Sequence, residues 1–192
     1  MVKRRKRGTT IARKNLYLIG RVEDANSREL IAPLMEEPNT EFTLFINSEG
    51  GSVYNELAIC NAVALHGKVD TVCLGVALSA AASILAAGRR RFVMPNAVAM
   101  IHQVSWEMGW QPSSNLAKNS RFLEQLNLQL TEFLSARTGQ PLAKVRADVA
   151  EDFYLFGEDI IGYGLADALW EPKAARSSRQ SGHRKTRRGS PV

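Results

Sequence analysis

The sequence predicts an α/β fold built on a mostly parallel sheet, and two observations lead to that class. Short β-branched or aromatic runs alternate with amphipathic stretches of helical length along the N-terminal half. Turn-forming glycines and prolines separate these stretches, and strands that alternate with helices are joined by right-handed crossovers into parallel sheets. At 192 residues the chain is long enough to bury one sizeable core.

The N-terminal half reads as strand, helix, strand, helix, strand and helix. The first strand is apolar and ends at Gly20, and the first helix has Asn26 or Ser27 as its N-cap. The second strand is β-branched and aromatic, and it runs into a turn at 48–52 that needs glycine conformations. The predicted ranges are 15–20, 23–37, 41–47, 53–66, 69–74 and 80–87, with further short strands at 91–94 and 97–102.

The C-terminal half is mainly helical. An irregular link at 105–112 leads into a long helix over 113–137, whose leucines recur along one face. Gly139 and Pro141 end that helix. Shorter elements follow: a helix over 141–150, an extended piece over 152–155, a helix over 158–163, and a closing segment over 165–170.

The net charge of +6 is concentrated at the two ends of the chain. Residues 1–14 and 173–192 each carry seven Lys or Arg and no acid, which leaves 11 basic against 19 acidic residues between them. We therefore expect a disordered basic arm at 1–14, a single domain at 15–172 and a disordered basic tail at 173–192. Without interleaved aromatic residues the tails do not predict a nucleic-acid site.

The composition indicates a cytoplasmic protein. The basic N-terminus is followed by polar residues, whereas a signal peptide has an apolar stretch at that place. No apolar run is long enough to cross a membrane. Cys60 and Cys73 lie in apolar segments without metal-binding spacing, so we expect buried free thiols and neither a metal nor a disulfide.

Three features follow or end predicted strands, and the carboxyl ends of parallel strands meet at one edge of a sheet. These are the Gly50-Gly51 turn, Ser79 and His102. Ser79 stands between a strand and a helix N-terminus, where a turn exposes a nucleophile and free N–H groups face an anion. Alternatively, Ser79 could be only a helix cap and His102 only a buried core residue. The convergence of Ser79 and His102 at one edge of the sheet favours a nucleophile with its base.

A serine nucleophile also needs a carboxylate that orients the base. Asp152 lies where a polar stretch turns apolar and is the first candidate. Glu151 and Asp159 remain open as alternatives at this stage.

Six short motifs stand in a fixed order along the chain. They are I-N-S-E-G-G-S-V at 46–53, G-V-A-L-S at 75–79, L-A-A-G at 85–88, M-I-H-Q at 100–103, T-G-Q at 138–140 and Y-G-L-A-D at 163–167. In type and order they resemble the motifs of the Clp protease proteolytic subunit (ClpP) family, and the resemblance covers roughly residues 15 to 170.

This resemblance implies a ClpP/crotonase-like fold of repeated βαβ units with a protruding helical handle. It implies a serine endopeptidase with Ser79 as nucleophile, His102 as general base and acid, and Asp152 as the residue that orients His102. The backbone N–H groups of Gly51 and Ala80 would form the oxyanion hole.

The same resemblance implies an assembly of two stacked heptameric rings, homomeric or mixed, which encloses the active sites. An AAA+ unfoldase would feed in unfolded polypeptide and use the ATP, so the chain itself would need no cofactor and no metal. A peptidase that works without an unfoldase is an alternative, because the basic N-terminus lacks the family's apolar start. A crotonase-type acyl-CoA enzyme is a more distant alternative, since such enzymes do not need the serine, histidine and aspartate.

The chain departs from the family pattern beside the predicted site. Glu49 replaces a usual proline, Ala80-Ala81 replaces a usual Met-Gly, and Trp106 and Trp110 stand where the family has a glycine-rich link. The departures define the second function to be weighed, a catalytically weak or inactive scaffold subunit of a mixed ring.

Overall fold

The computed structural model describes residues 12–104 and 113–171, with the backbone only for 113–117. The first eleven residues of the basic arm, the link with Trp106 and Trp110, and the basic tail lie outside the described residues. The strands are β1 (Arg13–Val22), β2 (Glu41–Gly51), β3 (Val69–Leu78), β4 (Arg91–Val93), β5 (Val98–Ile101), β6 (Phe153–Phe156) and β7 (Ala168–Leu169), and the helices are α1 (Asp24–Glu36), α2 (Val53–His66), α3 (Ala80–Ala87), α4 (Ser113–Thr138), α5 (Leu142–Asp148) and α6 (Glu158–Tyr163).

The sheet is mostly parallel, which confirms the predicted fold class. Strands β1, β2, β3, β4 and β7 lie side by side in that order, and every pair among them is parallel. Strand β3 is long enough to serve two neighbours, because its first half pairs with β4 and its last three residues pair with β5. Strand β6 adds to β5 as the antiparallel partner. The fork in β3 separates the end of the sheet that carries β5 and β6 from the end that carries β4 and β7.

Strand β1 begins at Arg13, so the sheet starts two residues inside the predicted basic arm. Nε of Arg13 lies 2.8 Å from a carboxylate oxygen of Glu41, and Nζ of Lys14 lies 2.6 Å from one of Glu37. These two basic side chains therefore pair with acids of the domain.

Strands β2 and β3 both extend beyond the predicted ranges. The pairing shifts between Ile46 and Ser48, where Ser48 stands opposite Ala77. At this irregularity Oδ1 of Asn47 accepts a hydrogen bond from the N–H of Val76 at 3.1 Å. A side chain at residue 75 would put its Cβ 2.6 Å from that oxygen, so Gly75 leaves room for the Asn47 side chain. Such a register shift bends the paired strands, and both strands continue beyond it to the candidate site.

Helix α3 is buried along its whole length, and its small residues explain how it fits there. A Cβ at Gly88 would lie 2.3 Å from Oγ1 of Thr71, which itself donates to the carbonyl of Leu85 at 2.7 Å. The alanines of α3 and Gly88 at its end let this helix lie close to the sheet while α2 and α4 pack against it. The two cysteines, Cys60 and Cys73, are free and buried in the same core, as predicted.

The first helix begins earlier than its predicted cap. Glu23 is the N-cap, and Asn26 closes a capping box by accepting a hydrogen bond from the Glu23 N–H at 3.0 Å. Asn26 and Ser27, predicted as caps, both lie inside α1. The side chain of Asn26 does bond to the helix start, as a cap would. In the capping box that bond comes from the third helical position.

Helix α4 supplies the long C-terminal element. Leu126 and Leu134 are buried, and Phe122 nearer its N-terminus is 44% exposed. The side chain of Asn127 accepts a hydrogen bond from the N–H of Val104 at 2.7 Å and ties the helix to the end of the β5 segment. Among the described helices, none is long and apolar enough to span a membrane.

Candidate active site

Ser79 occupies the turn between β3 and α3 in an unusual backbone conformation. Its φ is 55° and its ψ is −124°, and in the described part of the chain it is the one non-glycine residue with a positive φ. Its N–H donates to the carbonyl of Met100 at 2.8 Å, which holds the turn against β5. A strained residue at a strand–helix junction presents its side chain outward, and such strain is concentrated at functional sites.

His102 comes directly after β5, next to Ser79. Because Leu78 pairs with Met100, the ends of β3 and β5 bring the two side chains to the same edge of the sheet. Nε2 of His102 lies 2.7 Å from Oγ of Ser79, and the imidazole side chain is 26% exposed. The core-histidine alternative therefore does not describe this residue, which borders the open site.

The third side chain is Asp152, which precedes β6. Antiparallel pairing of Ile101 with Phe153 places Asp152 opposite His102, and Oδ1 lies 3.0 Å from Nδ1 of the imidazole. The carboxylate only accepts, so Nδ1 carries the proton and Nε2 is free to accept the serine hydroxyl. Glu151 and Asp159, the alternatives left open by the sequence, are both exposed elsewhere, and the hydrogen bond to His102 comes from Asp152.

Gly50 lies against the serine turn and Gly51 lies against Val22 of β1, and neither position has room for a side chain. Their φ angles are 90° and 152°. A Cβ on Gly50 would lie 2.8 Å from Cβ of Ser79 and 3.1 Å from the amide nitrogen of Ala80, and one on Gly51 would lie 2.4 Å from the carbonyl of Val22. The glycine turn thus packs directly on the start of α3.

The predicted oxyanion donors border one cavity. Gly51, Ser79, Ala80 and His102 all line it. Ala80 is the first residue of α3, so its N–H has no acceptor within the helix. An N–H at a helix start beside a serine hydroxyl is the kind of donor that an oxyanion hole requires.

The cavity has a volume of about 230 Å³, and both apolar and polar residues line it. The apolar part of the lining includes four leucines of α4 and Ile101 at the end of β5. Glu56 of α2 also lines the cavity, although its side chain is only 4% exposed. Burial raises the pKa of the Glu56 carboxyl to about 7, and a hydrogen bond from the Ser83 hydroxyl lowers it in part.

Sequence reasoning did not single out Glu56. The signal was present, because Glu56, Ile59, Cys60 and Val63 are spaced as one helical face and all four are buried. A carboxylate within an apolar stripe marks a buried ionisable group. Ser83 of α3 is buried, forms a hydrogen bond with Glu56 and lines the same cavity.

The departures beside the site have different consequences. Glu49 is exposed and is not among the described residues that line the cavity, because alternation along β2 buries Ser48 and Gly50 and points Glu49 away. Ala80 lines the cavity, whereas Ala81 is fully buried in the core. Of these substitutions, only the alanine at position 80 alters the described wall of the site.

A model of the Clp protease family matches residues 6–173, which is most of the chain. The match spans all the elements described above, including the serine turn, both site glycines, His102 and Asp152. Members of this family are in general serine peptidases that assemble into oligomeric rings. The chain therefore belongs to the Clp protease family.

Proposed function

We propose that this chain is a serine endopeptidase of the Clp type that hydrolyses peptide bonds of unfolded polypeptides. The observation that carries the proposal is the continuous hydrogen-bonded row of Ser79, His102 and Asp152, with distances of 2.7 Å and 3.0 Å. The strained turn at Ser79 and the adjacent glycines support the same assignment. The side chains in this row supply nucleophile, base and orienting acid, so the proposal needs no cofactor or metal.

The reaction would begin when Oγ of Ser79 attacks the carbonyl carbon of the peptide bond. Nε2 of His102 takes the hydroxyl proton as the new C–O bond forms, and the carbonyl oxygen becomes an oxyanion held by the N–H groups of Gly51 and Ala80. The imidazolium then gives its proton to the departing amine, and the C–N bond breaks. Asp152 keeps the imidazole oriented and stabilises its positive charge.

Hydrolysis of the acyl-enzyme would repeat these steps with water as the nucleophile. His102 accepts a proton from the water as its oxygen attacks the ester carbonyl. It returns that proton to Oγ of Ser79 as the ester bond breaks, which releases the second peptide product and restores the enzyme.

The assembly belongs to the same proposal. We place the chain in two stacked heptameric rings, homomeric or mixed, with α4 as the handle between the rings and the active sites inside. Large apolar side chains on the described surface support extensive burial between subunits, among them Tyr17 and Ile19 on β1 and Phe156 on β6, each more than half exposed. An AAA+ unfoldase would deliver the substrate, and the location would be cytoplasmic.

Labelling with a fluorophosphonate tests the catalytic assignment. We expect the full chain to be modified once per subunit at Ser79, and the Ser79→Ala variant to lose both labelling and hydrolysis of fluorogenic peptides. Native mass measured on the same samples would report the ring size. Intact rings that resist labelling and do not cleave peptides would overturn the proposal in favour of a scaffold subunit.

Dependence on an unfoldase is tested separately. Addition of an AAA+ ATPase with ATP and an unfolded protein should convert peptide hydrolysis into processive degradation. If peptides are hydrolysed but no ATPase brings about the degradation of proteins, the result would instead support a peptidase that works alone.

A further inference from the structure

The cavity beside Ser79 is lined by leucines of α4, by polar residues and by a single buried carboxyl group. Its mouth is lined by Gly51, Ser79 and His102, and its wall includes Leu126 and Leu130. Glu56 is the acidic residue among the described residues that line it. A volume of about 230 Å³ is below the ~300–1,000 Å³ typical of pockets for drug-sized ligands, and it suits one long side chain.

Glu56 has little in the protein to balance a negative charge. The Ser83 hydroxyl donates to it, and no lysine or arginine is among the described residues lining the cavity. Arg137 of α4 is directed elsewhere, since its guanidinium donates to the carbonyl oxygens of Ala86 and Gly88. A buried carboxylate is costly unless it is paired, so the group is suited to a cation that arrives from outside.

We propose that this cavity receives the side chain of the residue whose carbonyl Ser79 attacks, and that Glu56 selects lysine or arginine there. The inference rests on the proposed function, because it takes the cavity beside Ser79 as a substrate pocket. Glu56 acts as a specificity residue in this role. It binds the substrate side chain and takes no part in proton transfer at the peptide bond.

The chemistry of the wall favours a basic side chain over the alternatives. Leucine side chains accommodate the aliphatic stem of lysine or arginine, while the charged end reaches the carboxyl group. An aliphatic substrate side chain fits the wall but leaves Glu56 buried without a cation. An acidic one brings a second negative charge into the same apolar space, which costs still more.

Binding to the full-length Ser79→Ala protein tests the inference without requiring catalysis. The probes are two N-acetylated peptide amides that differ only at the residue before the scissile bond, which is lysine in one and norleucine in the other. Norleucine keeps the linear stem and lacks the ammonium group. At pH 8 we expect the lysine peptide to bind about 10- to 100-fold more tightly, the range for a hydrogen bond to a charged group.

The matched variant is Ser79→Ala with Glu56→Gln, which keeps the side-chain shape and removes the charge. We expect the preference for lysine to disappear in it, with the norleucine peptide bound as well as before or better. Equal binding of the two peptides by Ser79→Ala itself, or no binding of either, would overturn the inference. That comparison needs no second variant and decides the question even where Glu56→Gln does not fold.

The two proposals fail in different measurements. Preference for the lysine peptide without fluorophosphonate labelling of Ser79 would support the pocket and contradict the catalytic assignment. Labelling of Ser79 and cleavage of peptides without a preference for lysine would support the catalytic assignment and contradict the role of Glu56.

Discussion

Oδ1 of Asn47 accepts a hydrogen bond from the N–H of Val76 at 3.1 Å, across the irregularity that separates the two halves of β3. This contact joins β2 and β3 three residues before Ser79. Gly75 makes it possible, since a Cβ there would lie 2.6 Å from the asparagine oxygen. We therefore expect the position of the candidate nucleophile to respond when this contact is lost.

The Gly75→Ala variant should disturb both folding and the site. Its Cβ would lie 2.6 Å from Oδ1 of Asn47, so the asparagine must move and give up its hydrogen bond to Val76. We expect a loss of about 1 kcal/mol in the free energy of unfolding and slower fluorophosphonate labelling of Ser79. Gly162→Ala is the matched control, because nothing lies within 4 Å of its Cβ and alanine favours the helix. Equal labelling rates for the two variants would contradict this account.

The Asp152→Asn variant should fold normally and lose most of its activity. Asp152 is 55% exposed, so its removal costs little stability, but an asparagine at 3.0 Å from Nδ1 permits the wrong imidazole tautomer. We expect kcat to fall by about 10⁴-fold, the size of the loss when a triad aspartate is replaced by asparagine. The neighbouring exposed Glu151→Gln variant should retain full activity in the same peptide assay. A large loss in Glu151→Gln, or none in Asp152→Asn, would refute the assignment.

Stability should fall as the pH rises from about 4.5 to 7 because of Glu56. Its pKa is raised from 4.5 to about 7 by burial, so over this range the folded state binds a proton that the unfolded state has released. The free energy of unfolding then decreases with pH, by a total on the order of 3 kcal/mol from this one group. Little further change from it is expected well above pH 7.

The measurement is urea unfolding at pH 5 and at pH 8. We expect Glu56→Gln to gain stability relative to the unsubstituted protein as the pH rises, because glutamine has no proton to lose. The exposed Glu36→Gln variant controls for the loss of one carboxylate. A constant difference between Glu56→Gln and the unsubstituted protein at the two pH values would show that Glu56 does not carry the effect.

The Arg91→Lys variant should weaken the end of the sheet that carries β4 and β7. The Arg91 guanidinium donates to the carbonyls of Arg137 at 2.6 Å and Gly164 at 2.8 Å, and it also pairs with Asp167. Lysine has a single charged nitrogen that cannot reach all three acceptors. We expect a loss of about 2 kcal/mol in unfolding free energy from the unsatisfied carbonyls. Thermal unfolding checks this against Arg146→Lys, an exposed position that should change little.

Much of the fold was predictable because strands and helices in this chain have clear periods and clear endings. The α2 range of 53–66 and the α3 range of 80–87 match the prediction at both ends. Ser79, His102 and Gly51 were candidates because each follows a strand, and strand ends meet at one edge of a parallel sheet. The errors lie where a local pattern competes with long-range contacts, as at the β2–β3 irregularity and the α1 cap.

The periodicity and the glycine turns of the chain were enough to predict the fold class, the order of elements and the types of residue available for a nucleophile, a base and oxyanion donors. The three-dimensional arrangement determined which carboxylate lies beside His102, because the antiparallel pairing of β5 and β6 places Asp152, and not Glu151 or Asp159, at the imidazole. It also decided that Glu56 and Ser83 meet in the cavity beside Ser79. The distance between side chains that are far apart in the chain depends on strand register and helix packing. Local sequence patterns predict neither the register nor the packing.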